Sequence, residues 1–153
     1  MKLTDILVRD ACVVDLQART KKEAVRELAE ALANSVDGLE GSELIQMLLE
    51  RERLGSTAMG DGIAIPHARI ETLDRLLASF GRSRQGVDFD SLDGKPTHLF
   101  FLLVAPGREG SAHLLTLARL SRFLTNPEFR EKLQQLEATE DLFRAVEEEE
   151  SRT

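Results

Sequence analysis

The sequence predicts an α/β domain of three layers, in which helices cover both faces of a mixed central β-sheet. Strand and helix periodicities occur in the order one strand, two helices, a group of strands and three helices. A sheet covered by helices is the simplest way to bury all of their apolar faces. The segment DSLDGKP (90–96) is typical of a hairpin turn, so at least one strand pair should be antiparallel.

The N-terminal part of the chain carries the patterns of one strand and two helices. Residues 10–16, DACVVDL, are rich in β-branched side chains and predict a strand. Thr20 and Glu23 have the spacing of a capping box at the start of the first helix. The second helix should begin near Ser42 and end at Gly55, which is typical of a left-handed C-cap.

The middle of the chain predicts the sheet, and the remainder predicts helices. A short strand, IAI, ends before Pro66, and three further strands are expected at 76–83, 87–89 and 97–105. The last of these is apolar enough to lie in the sheet centre. Helices should follow from near Ser111, from Asn126 with Pro127 at its first position, and from near Thr139. We expect residues 1–148 to form one domain and 149–153 to be a frayed tail.

Composition and charge argue against several classes of function. The net charge is -7 and basic residues alternate with acidic ones, so no basic stripe for nucleic acid is present. The longest apolar run, 99–105, is too short to span a bilayer, and the N-terminus lacks the apolar core of a signal peptide. Cys12 is the only cysteine. We therefore expect a cytoplasmic protein that neither inserts into membranes nor binds nucleic acid.

His67 is the first candidate for a chemical role, in the segment GDGIAIPHAR. Pro66 fixes its own φ and favours extended geometry at the preceding residue, so the imidazole should leave the strand end in a fixed direction. Gly60 and Gly62 allow a ligand to approach the backbone closely. A lone histidine is more often a surface or capping residue. This setting favours a nucleophilic histidine that accepts a phosphoryl group.

Further residues could bind phosphate beside that histidine. Ser56 and Thr57, with the free N–H groups of their loop, could form an anion-binding nest. His113 lies at the start of a predicted helix, where anions are attracted, although a structural role beside the cap is the alternative. Arg51 could either balance the dipole at its helix end or reach over the glycine loop as a phosphate-binding fork.

Other chemistries have less support from the sequence. His98 precedes a buried strand next to a proline and is interpreted as a structural edge residue. The chain has no G-x-S-x-G elbow, no Walker lysine and no G-x-G-x-x-G segment. No cysteine or carboxylate lies at ligand spacing from the histidines, so we expect neither a metal nor a cofactor.

Two segments resemble a known family. LLERERLGSTAMGDGIAIPHAR (48–69) resembles the signature of the phosphotransferase-system enzyme IIA domains of the fructose/mannitol class, known as type 2. HLLTLARLSRFL (113–124) is similar to the helix that carries that family's second histidine. The resemblance extends over nearly the whole chain, from TDILVRDACVVDL to the final helices. As a standalone domain, the chain is similar to the nitrogen-regulatory member of that class.

The resemblance implies a phosphohistidine carrier with the fold of those enzyme IIA domains. His67 would receive the phosphoryl group from a phosphohistidine on an HPr-like carrier protein. His113 would lie opposite and hydrogen-bond the phosphoryl oxygens, and Arg51 would supply positive charge. Ser56 and Thr57 fall in the matching GST. Ala68 stands where glycine is frequent in the family, which restricts φ at that position.

Two functions remain open from the sequence. In the first, the protein is a regulatory component of the nitrogen type, and its phosphorylation state is read by regulatory proteins. In the second, it is a sugar-specific enzyme IIA that passes the phosphoryl group to the IIB domain of a fructose/mannitol-type permease. A binding scaffold that is never phosphorylated is disfavoured, because both histidines of the family pattern are present.

Overall fold

The computed structural model describes residues 2–107 and 110–152, with no side chains for 110–112. Within these residues the chain forms two short N-terminal turns of helix, a helical pair, five strands and three further helices. In chain order these are α1 (Leu3–Ile6), a 3-10 turn (Arg9–Ala11), α2 (Lys21–Ser35), α3 (Gly41–Arg53), β1 (Ala58–Gly60), β2 (Ile63–Ala64), β3 (His67–Ile70), β4 (Leu77–Val87), β5 (Thr97–Pro106), α4 (Gly110–Phe123), α5 (Pro127–Gln134) and α6 (Thr139–Ser151).

Strand β5 is central in a single mixed sheet. Strands β2 and β3 both run parallel to β5 and pair with successive parts of it, residues 99–100 and 103–106. Strand β4 pairs with β5 in the antiparallel direction, and β1 pairs in that direction with β2. The predicted mixed sheet and its β4–β5 hairpin are therefore confirmed. Strand β3 pairs with β5 alone, which leaves its other edge open beside the helices.

Side chains of β5 alternate between two hydrophobic cores. Leu99, Phe101 and Leu103 pack with α1, α4, α5 and α6 on one face of the sheet. Phe100 and Leu102 pack with α2 and α3 on the other face. This alternation follows from the two-residue period of an extended strand and explains why the β5 sequence is apolar throughout. The three-layer α/β/α architecture expected from the sequence is confirmed.

The helix starts that the sequence predicts from caps are observed. The hydroxyl of Thr20 accepts a hydrogen bond from the Glu23 N–H at 3.2 Å, and the Glu23 carboxylate accepts one from the Thr20 N–H at 3.2 Å. The Asn126 side chain accepts a hydrogen bond from the Glu128 N–H at 3.1 Å, and Pro127 is the first residue of α5. Both caps depend only on neighbouring residues, which is why local sequence predicts them.

The other helix boundaries lie close to their predicted positions. Helix α3 begins at Gly41, and Gly55 follows its end with a φ of 146°. Helix α4 begins at Gly110, whereas the side chain of its expected cap, Ser111, lies outside the described residues. Helix α6 begins at Thr139, as expected. In the part of the chain that the structure describes, no helix combines the length and the apolar character needed to cross a membrane.

Residues 10–16 do not form the predicted strand. The segment starts in the 3-10 turn Arg9–Ala11 and then runs extended beside β4, with which it forms an isolated bridge rather than a continuous ladder. The Val13 N–H donates to the Phe80 carbonyl at 2.8 Å, and the Val13 carbonyl accepts from the Arg82 N–H at 3.0 Å. The β-branched composition correctly indicates extended backbone, but a strand also requires a continuous partner, which local composition does not reveal.

Strand β4 covers most of the strand expected at 76–83 and continues to Val87, with irregular register towards its end, so only Val87 of the strand expected at 87–89 belongs to it. Gly86 has a φ of 87°, and its N–H donates to the Ser83 hydroxyl at 3.0 Å. This local irregularity interrupts the alternating pattern of the sequence without ending the strand, which is the reason for the split prediction.

The prediction of a frayed tail over 149–153 is wrong, because α6 continues to Ser151. The Glu149 carboxylate accepts hydrogen bonds from the Asn126 side-chain amide at 3.1 and 3.2 Å. The Glu150 carboxylate accepts hydrogen bonds from the backbone at the start of α1. These carboxylates have partners on neighbouring elements, and such contacts keep the last turn helical.

Arg82 joins three parts of the fold and is only 1% exposed. Its guanidinium donates to the carbonyls of Val14, Gln134 and Leu136 at 2.9, 2.7 and 2.8 Å. It therefore connects β4 to the N-terminal segment and to the chain at the end of α5. The sequence analysis did not identify this residue, since an arginine in a strand ordinarily faces solvent.

Candidate active site

An open cavity of about 570 Å³ lies where the free edge of β3 meets α3 and α4. Helices α3 and α4 belong to opposite layers of the domain, so the cavity joins both layers at the edge of the sheet. Three elements supply its lining side chains: Met47, Glu50, Arg51 and Leu54 from α3, His67, Ala68 and Arg69 from β3, and His113, Leu114 and Leu117 from α4. Three of the predicted site residues, Arg51, His67 and His113, are thus brought together.

His67 is half-buried and is the first residue of β3 rather than the residue after a strand end. Its Nδ1 lies 2.8 Å from the carbonyl oxygen of Ile65. A carbonyl oxygen can only accept a hydrogen bond, so we assign the proton of the neutral imidazole to Nδ1. The Nε2 atom is then left with a free lone pair. Pro66 lies between the two partners, and its restricted φ helps to fix this short contact.

His113 lies against His67, with ring centroids 5.2 Å apart and ring planes at 54°. Its side chain is 4% exposed, and among the described residues its Nδ1 has no hydrogen-bond partner. Burial, together with the smaller effects of the neighbouring His67 and Arg69, lowers the pKa of His113 to about 4. The ring is therefore uncharged at neutral pH, with a buried nitrogen available to a ligand.

The pKa of His67 is also lowered, chiefly by burial. The hydrogen bond to the Ile65 carbonyl opposes this effect, Arg51 adds to it, and Glu52 opposes it. Both imidazoles of the cavity are consequently neutral near pH 7. A neutral His67 can act as a nucleophile through the free lone pair on Nε2.

Arg51 contacts the end of its own helix, which is the first of the two roles that the sequence left open, and it also lines the cavity. Its Nη1 donates to the Gly55 carbonyl at 2.9 Å, which satisfies a backbone acceptor beyond the end of α3. The same side chain lines the cavity and is partly exposed. Its guanidinium therefore adds positive charge to the site, consistent with its effect on the pKa of His67.

Ser56 and Thr57 are placed differently from the sequence expectation, since neither lines the cavity. The Ser56 hydroxyl donates to the Phe89 carbonyl. The Thr57 side chain is buried, and both its N–H and its hydroxyl donate to the Glu52 carboxylate. With these donors engaged inside the protein, the two residues support the loop and are not available for direct phosphate contact in this structure.

The glycines before His67 serve turn geometry rather than contact with a ligand, since neither lines the cavity. Gly60 and Gly62 have φ values of 87° and 80° on either side of Asp61, whose φ is 56°. The Asp61 N–H donates to the Asp93 carboxylate at 3.0 Å, which ties this turn to the β4–β5 hairpin. The glycine prediction thus identified the special backbone but gave it the wrong purpose.

Ala68, the departure from the family pattern, occupies an ordinary strand position. It is buried within β3, pairs with Val104 and does not have a positive φ. Alanine therefore causes no backbone strain here. Its neighbour Arg69 lines the cavity and was not identified from the sequence. The sequence could have identified Arg69, because it follows His67 by two residues and side chains two residues apart in a strand point to the same face.

Across residues 2–107 and 110–152, no group of three or more histidine, cysteine or acidic side chains is arranged to hold a metal ion. The polar lining of the cavity consists of the two imidazoles, the guanidiniums of Arg51 and Arg69 and the Glu50 carboxylate, and an apolar rim lies around them. Met47, Leu54 and Leu114 of this rim are exposed. Leucine and methionine side chains around a charged centre are typical of a surface that docks another protein.

Comparison with known proteins identifies the family. Residues 5–149 match the family described as phosphoenolpyruvate-dependent sugar phosphotransferase system, EIIA 2. The chain is 40% identical over 133 residues to the nitrogen regulatory protein of Bradyrhizobium diazoefficiens, covering 87% of this chain and 86% of that protein. It is 34% identical over 138 residues to the fructose-specific EIIABC component of Bacillus subtilis, covering 90% of this chain and 22% of that protein.

A solved structure has the same fold. The nitrogen regulatory protein IIA-Ntr of Neisseria meningitidis is 32% identical and superposes with a TM-score of 0.87, covering 93% of this chain and 97% of that one. The chain therefore belongs to the EIIA type 2 family, is a phosphocarrier component of the phosphoenolpyruvate-dependent sugar phosphotransferase system, and resembles nitrogen regulatory members of that system over nearly its whole length.

Proposed function

We propose that the protein accepts a phosphoryl group on Nε2 of His67 from a phosphohistidine of an HPr-like carrier protein. The observation that carries this proposal is the 2.8 Å contact between Nδ1 of His67 and the Ile65 carbonyl. It leaves Nε2 as the nitrogen with a free lone pair. In the transfer, the N–P bond of the donor breaks as a new N–P bond forms to Nε2. The donor imidazole keeps the electron pair, and the proton on Nδ1 of His67 stays in place.

The charges around the cavity support phosphoryl transfer. The transition state of this reaction is loose, so a protein contributes mainly by positioning the groups and neutralising charge on the phosphoryl oxygens. Arg51 and Arg69 line the cavity from α3 and β3, on either side of His67. His113 adds a neutral ring that can donate one hydrogen bond. We assign the charge stabilisation to Arg51 and Arg69 and the oxygen contact to His113.

The regulatory role is the better supported of the two functions. The nitrogen regulatory protein of B. diazoefficiens is the more similar relative, and the match covers most of both chains. A phosphoryl group would add roughly -1.5 to -2 charges to the cavity. A regulatory protein that docks on the apolar rim could distinguish the two states by this charge. We therefore propose a nitrogen-type regulatory phosphocarrier whose targets are regulatory proteins.

Sugar transport is the second candidate. The match to the fructose-specific EIIABC component of B. subtilis favours it, because that relative is 34% identical over most of this chain. In this case the phosphoryl group would pass from His67 to a IIB domain of a fructose-type permease. A sugar-uptake assay with a candidate permease, set beside a pull-down of regulatory proteins in both phosphorylation states, separates the two functions.

The phosphorylation site is tested by reconstitution. The protein is mixed with phosphoenolpyruvate, enzyme I and an HPr-type carrier, and its intact mass is measured. We expect the wild type to gain one phosphoryl group, His67→Ala to gain none, and His113→Ala to gain it slowly while remaining folded. His98→Ala is the control, because its imidazole bonds the Ser83 carbonyl away from the cavity. Phosphorylation of His67→Ala would contradict the assignment.

A further inference from the structure

Glu52 is a buried carboxylate directly behind the candidate active site. Its exposed fraction is 7%, and it lies in the last turn of α3 next to Arg51. One carboxylate oxygen accepts the Thr57 N–H at 3.1 Å and lies 3.1 Å from Nζ of Lys21, and the other accepts the Thr57 hydroxyl. The carboxylate is therefore held between α2, α3 and the loop that precedes His67.

The contacts of Glu52 continue through the backbone to the imidazole. The Thr57 carbonyl accepts the Ile65 N–H at 3.1 Å, and the Ile65 carbonyl accepts Nδ1–H of His67 at 2.8 Å. The N–H and the carbonyl of Thr57 belong to different peptide groups, as do those of Ile65, so these contacts fix positions rather than relay polarisation. By holding both donors of Thr57, Glu52 fixes the Thr57 carbonyl to which Ile65 is bonded. The Ile65 carbonyl that accepts from the His67 ring is held in place in turn.

The position of Glu52 is unfavourable for helix stability. The C-terminal end of a helix carries partial negative charge, which disfavours a carboxylate there. Burial adds a further cost, because a charged group must be removed from water. Lys21 and the two Thr57 donors offset part of these costs. Glu52 is unfavourable at this helix end, yet both of its carboxylate oxygens have partners. This combination indicates that its role is to hold the loop that contains Thr57.

We propose that Glu52 is a positioning residue for His67, which acts through Thr57 and the Ile65 carbonyl to keep the imidazole proton on Nδ1 and the lone pair on Nε2. This proposal rests on the proposed function for its catalytic consequence. A carboxylate that fixes the tautomer of a functional histidine is a familiar arrangement when the two groups touch. Here Thr57 and Ile65 intervene, so Glu52 acts by holding the loop before His67 in place and does not touch the ring.

Several charged groups face His67, and the effect of Glu52 must be separated from theirs. Arg51 comes from α3, Arg69 from β3 and His113 from α4, and Glu50 of α3 lines the same cavity. Arg51 lowers the pKa of His67, whereas Glu52 raises it. Removal of the Glu52 charge should therefore lower the pKa of His67 further. The same change would weaken the preference for the Nδ1–H tautomer.

The experiment measures the imidazole nitrogen chemical shifts of His67 by NMR in the free protein, together with the rate of phosphorylation by the HPr-type carrier. In the wild type we expect the Nδ1–H tautomer. In Glu52→Gln we expect a mixture of tautomers, a lower His67 pKa, and transfer slowed roughly 10- to 100-fold, the loss typical when the partner that orients a functional histidine is removed.

Two further variants serve as controls. Asp90→Asn removes a carboxylate that lies 3.2 Å from the same Lys21 but is exposed and makes no contact with Thr57, so it should leave the tautomer and the rate unchanged. Thr57→Val removes the hydroxyl contact with Glu52 and keeps the hydrogen bonds made by the backbone of Thr57. It should shift the tautomer in the same direction as Glu52→Gln, by less. If Glu52→Gln does not fold, Thr57→Val decides the question.

The results distinguish this proposal from the proposed function. A folded Glu52→Gln protein that keeps the wild-type tautomer and pKa of His67 would overturn the positioning role, as would an unchanged tautomer in Thr57→Val if Glu52→Gln does not fold. The NMR measurement needs no phosphoryl donor. If the wild type is never phosphorylated but Glu52→Gln shifts the tautomer, the proposed function fails and the positioning role stands.

Discussion

His67 and His113 are two imidazoles that burial keeps uncharged beside each other. Their pKa values are both lowered, and that of His113 falls to about 4. Protonation of either ring would place a charge in a partly apolar cavity next to Arg51 and Arg69. The same burial that keeps His67 neutral therefore also links the stability of the fold to pH.

We expect the free energy of unfolding to decrease as the pH falls from about 6.5 towards 4. The lowered pKa of His113 means that the unfolded chain binds a proton before the folded protein does, so acid favours unfolding in this window. The loss from His113 should be on the order of 2 kcal/mol. Urea denaturation of wild type and His113→Gln at several pH values tests this, and the variant should lose less stability between pH 7 and 4.

Two features of this prediction can be checked independently. Above the ordinary histidine pKa of about 6.5 neither state binds the proton, so the stability of the wild type should be level there. His98→Gln is the matched variant, because His98 lies outside the cavity, and it should keep the acid sensitivity of the wild type. Equal pH dependence of wild type and His113→Gln would contradict the expected burial penalty.

At the residue scale, sequence reasoning identified groups in the two segments that match the family. Arg51, His67 and His113 lie together in one cavity, as expected. Glu52 was not identified, because the contacts that hold it buried, with Thr57 and the distant Lys21, form only in the fold. A charged residue with a buried role cannot be recognised without its partner, since charged side chains are ordinarily exposed.

At the element scale, local signals predicted helices better than strands. The caps of α2 and α5 depend on residues within one turn, so the sequence contains the whole interaction. The N-terminal extended segment and the irregular end of β4 depend on contacts with distant residues. The same is true of the last turn of α6, whose carboxylates bond elsewhere in the fold. Local sequence patterns do not show with which distant residues a segment will pair.

Arg82 tests how strongly one buried side chain joins these elements. In Arg82→Met the carbonyls of Val14, Gln134 and Leu136 lose their donor and remain largely buried. We expect a loss of about 3–5 kcal/mol in the free energy of unfolding, the range for breaking a buried charged interaction. Urea denaturation followed by circular dichroism measures it.

Arg84→Met is the matched control for this substitution. Arg84 bonds the Asp15 carboxylate at 2.7 Å, as Arg82 does at 3.4 Å, but its side chain is exposed. Exposed ion pairs contribute little, so Arg84→Met should change the free energy of unfolding by less than about 1 kcal/mol. Similar losses for the two variants would mean that the buried carbonyl contacts of Arg82 contribute little to stability.

At the scale of the whole molecule, the cavity exists because two layers meet at the edge of one strand. Helix α3 packs in one core and α4 in the other, and only the open edge of β3 lets both reach His67. The apolar rim surrounds this meeting point. The architecture therefore presents His67 on an open, apolar-rimmed surface of the kind on which proteins dock rather than in a deep pocket of the kind that binds small molecules.

This arrangement predicts different sensitivities to protein and small-molecule donors. Leu54 lines the cavity and is 85% exposed, so Leu54→Gln should disturb docking more than folding. We expect phosphorylation by the HPr-type carrier to slow about tenfold, within the range for loss of an apolar anchor at an interface. Phosphorylation by phosphoramidate, a small donor that needs no docking surface, should slow much less. The ratio of the two rates is the measured quantity.

Leu92→Gln provides the comparison, because Leu92 is fully exposed in the β4–β5 hairpin and does not line the cavity. Its ratio of rates should equal that of the wild type. A general loss of fold would slow both donors in Leu54→Gln, whereas a docking defect slows the carrier alone. If both donors slow equally in a folded Leu54→Gln protein, the rim acts on the chemistry of His67 itself and the docking surface must lie elsewhere. A selective loss with the carrier would locate protein recognition on the same edge of the sheet that carries the nucleophile.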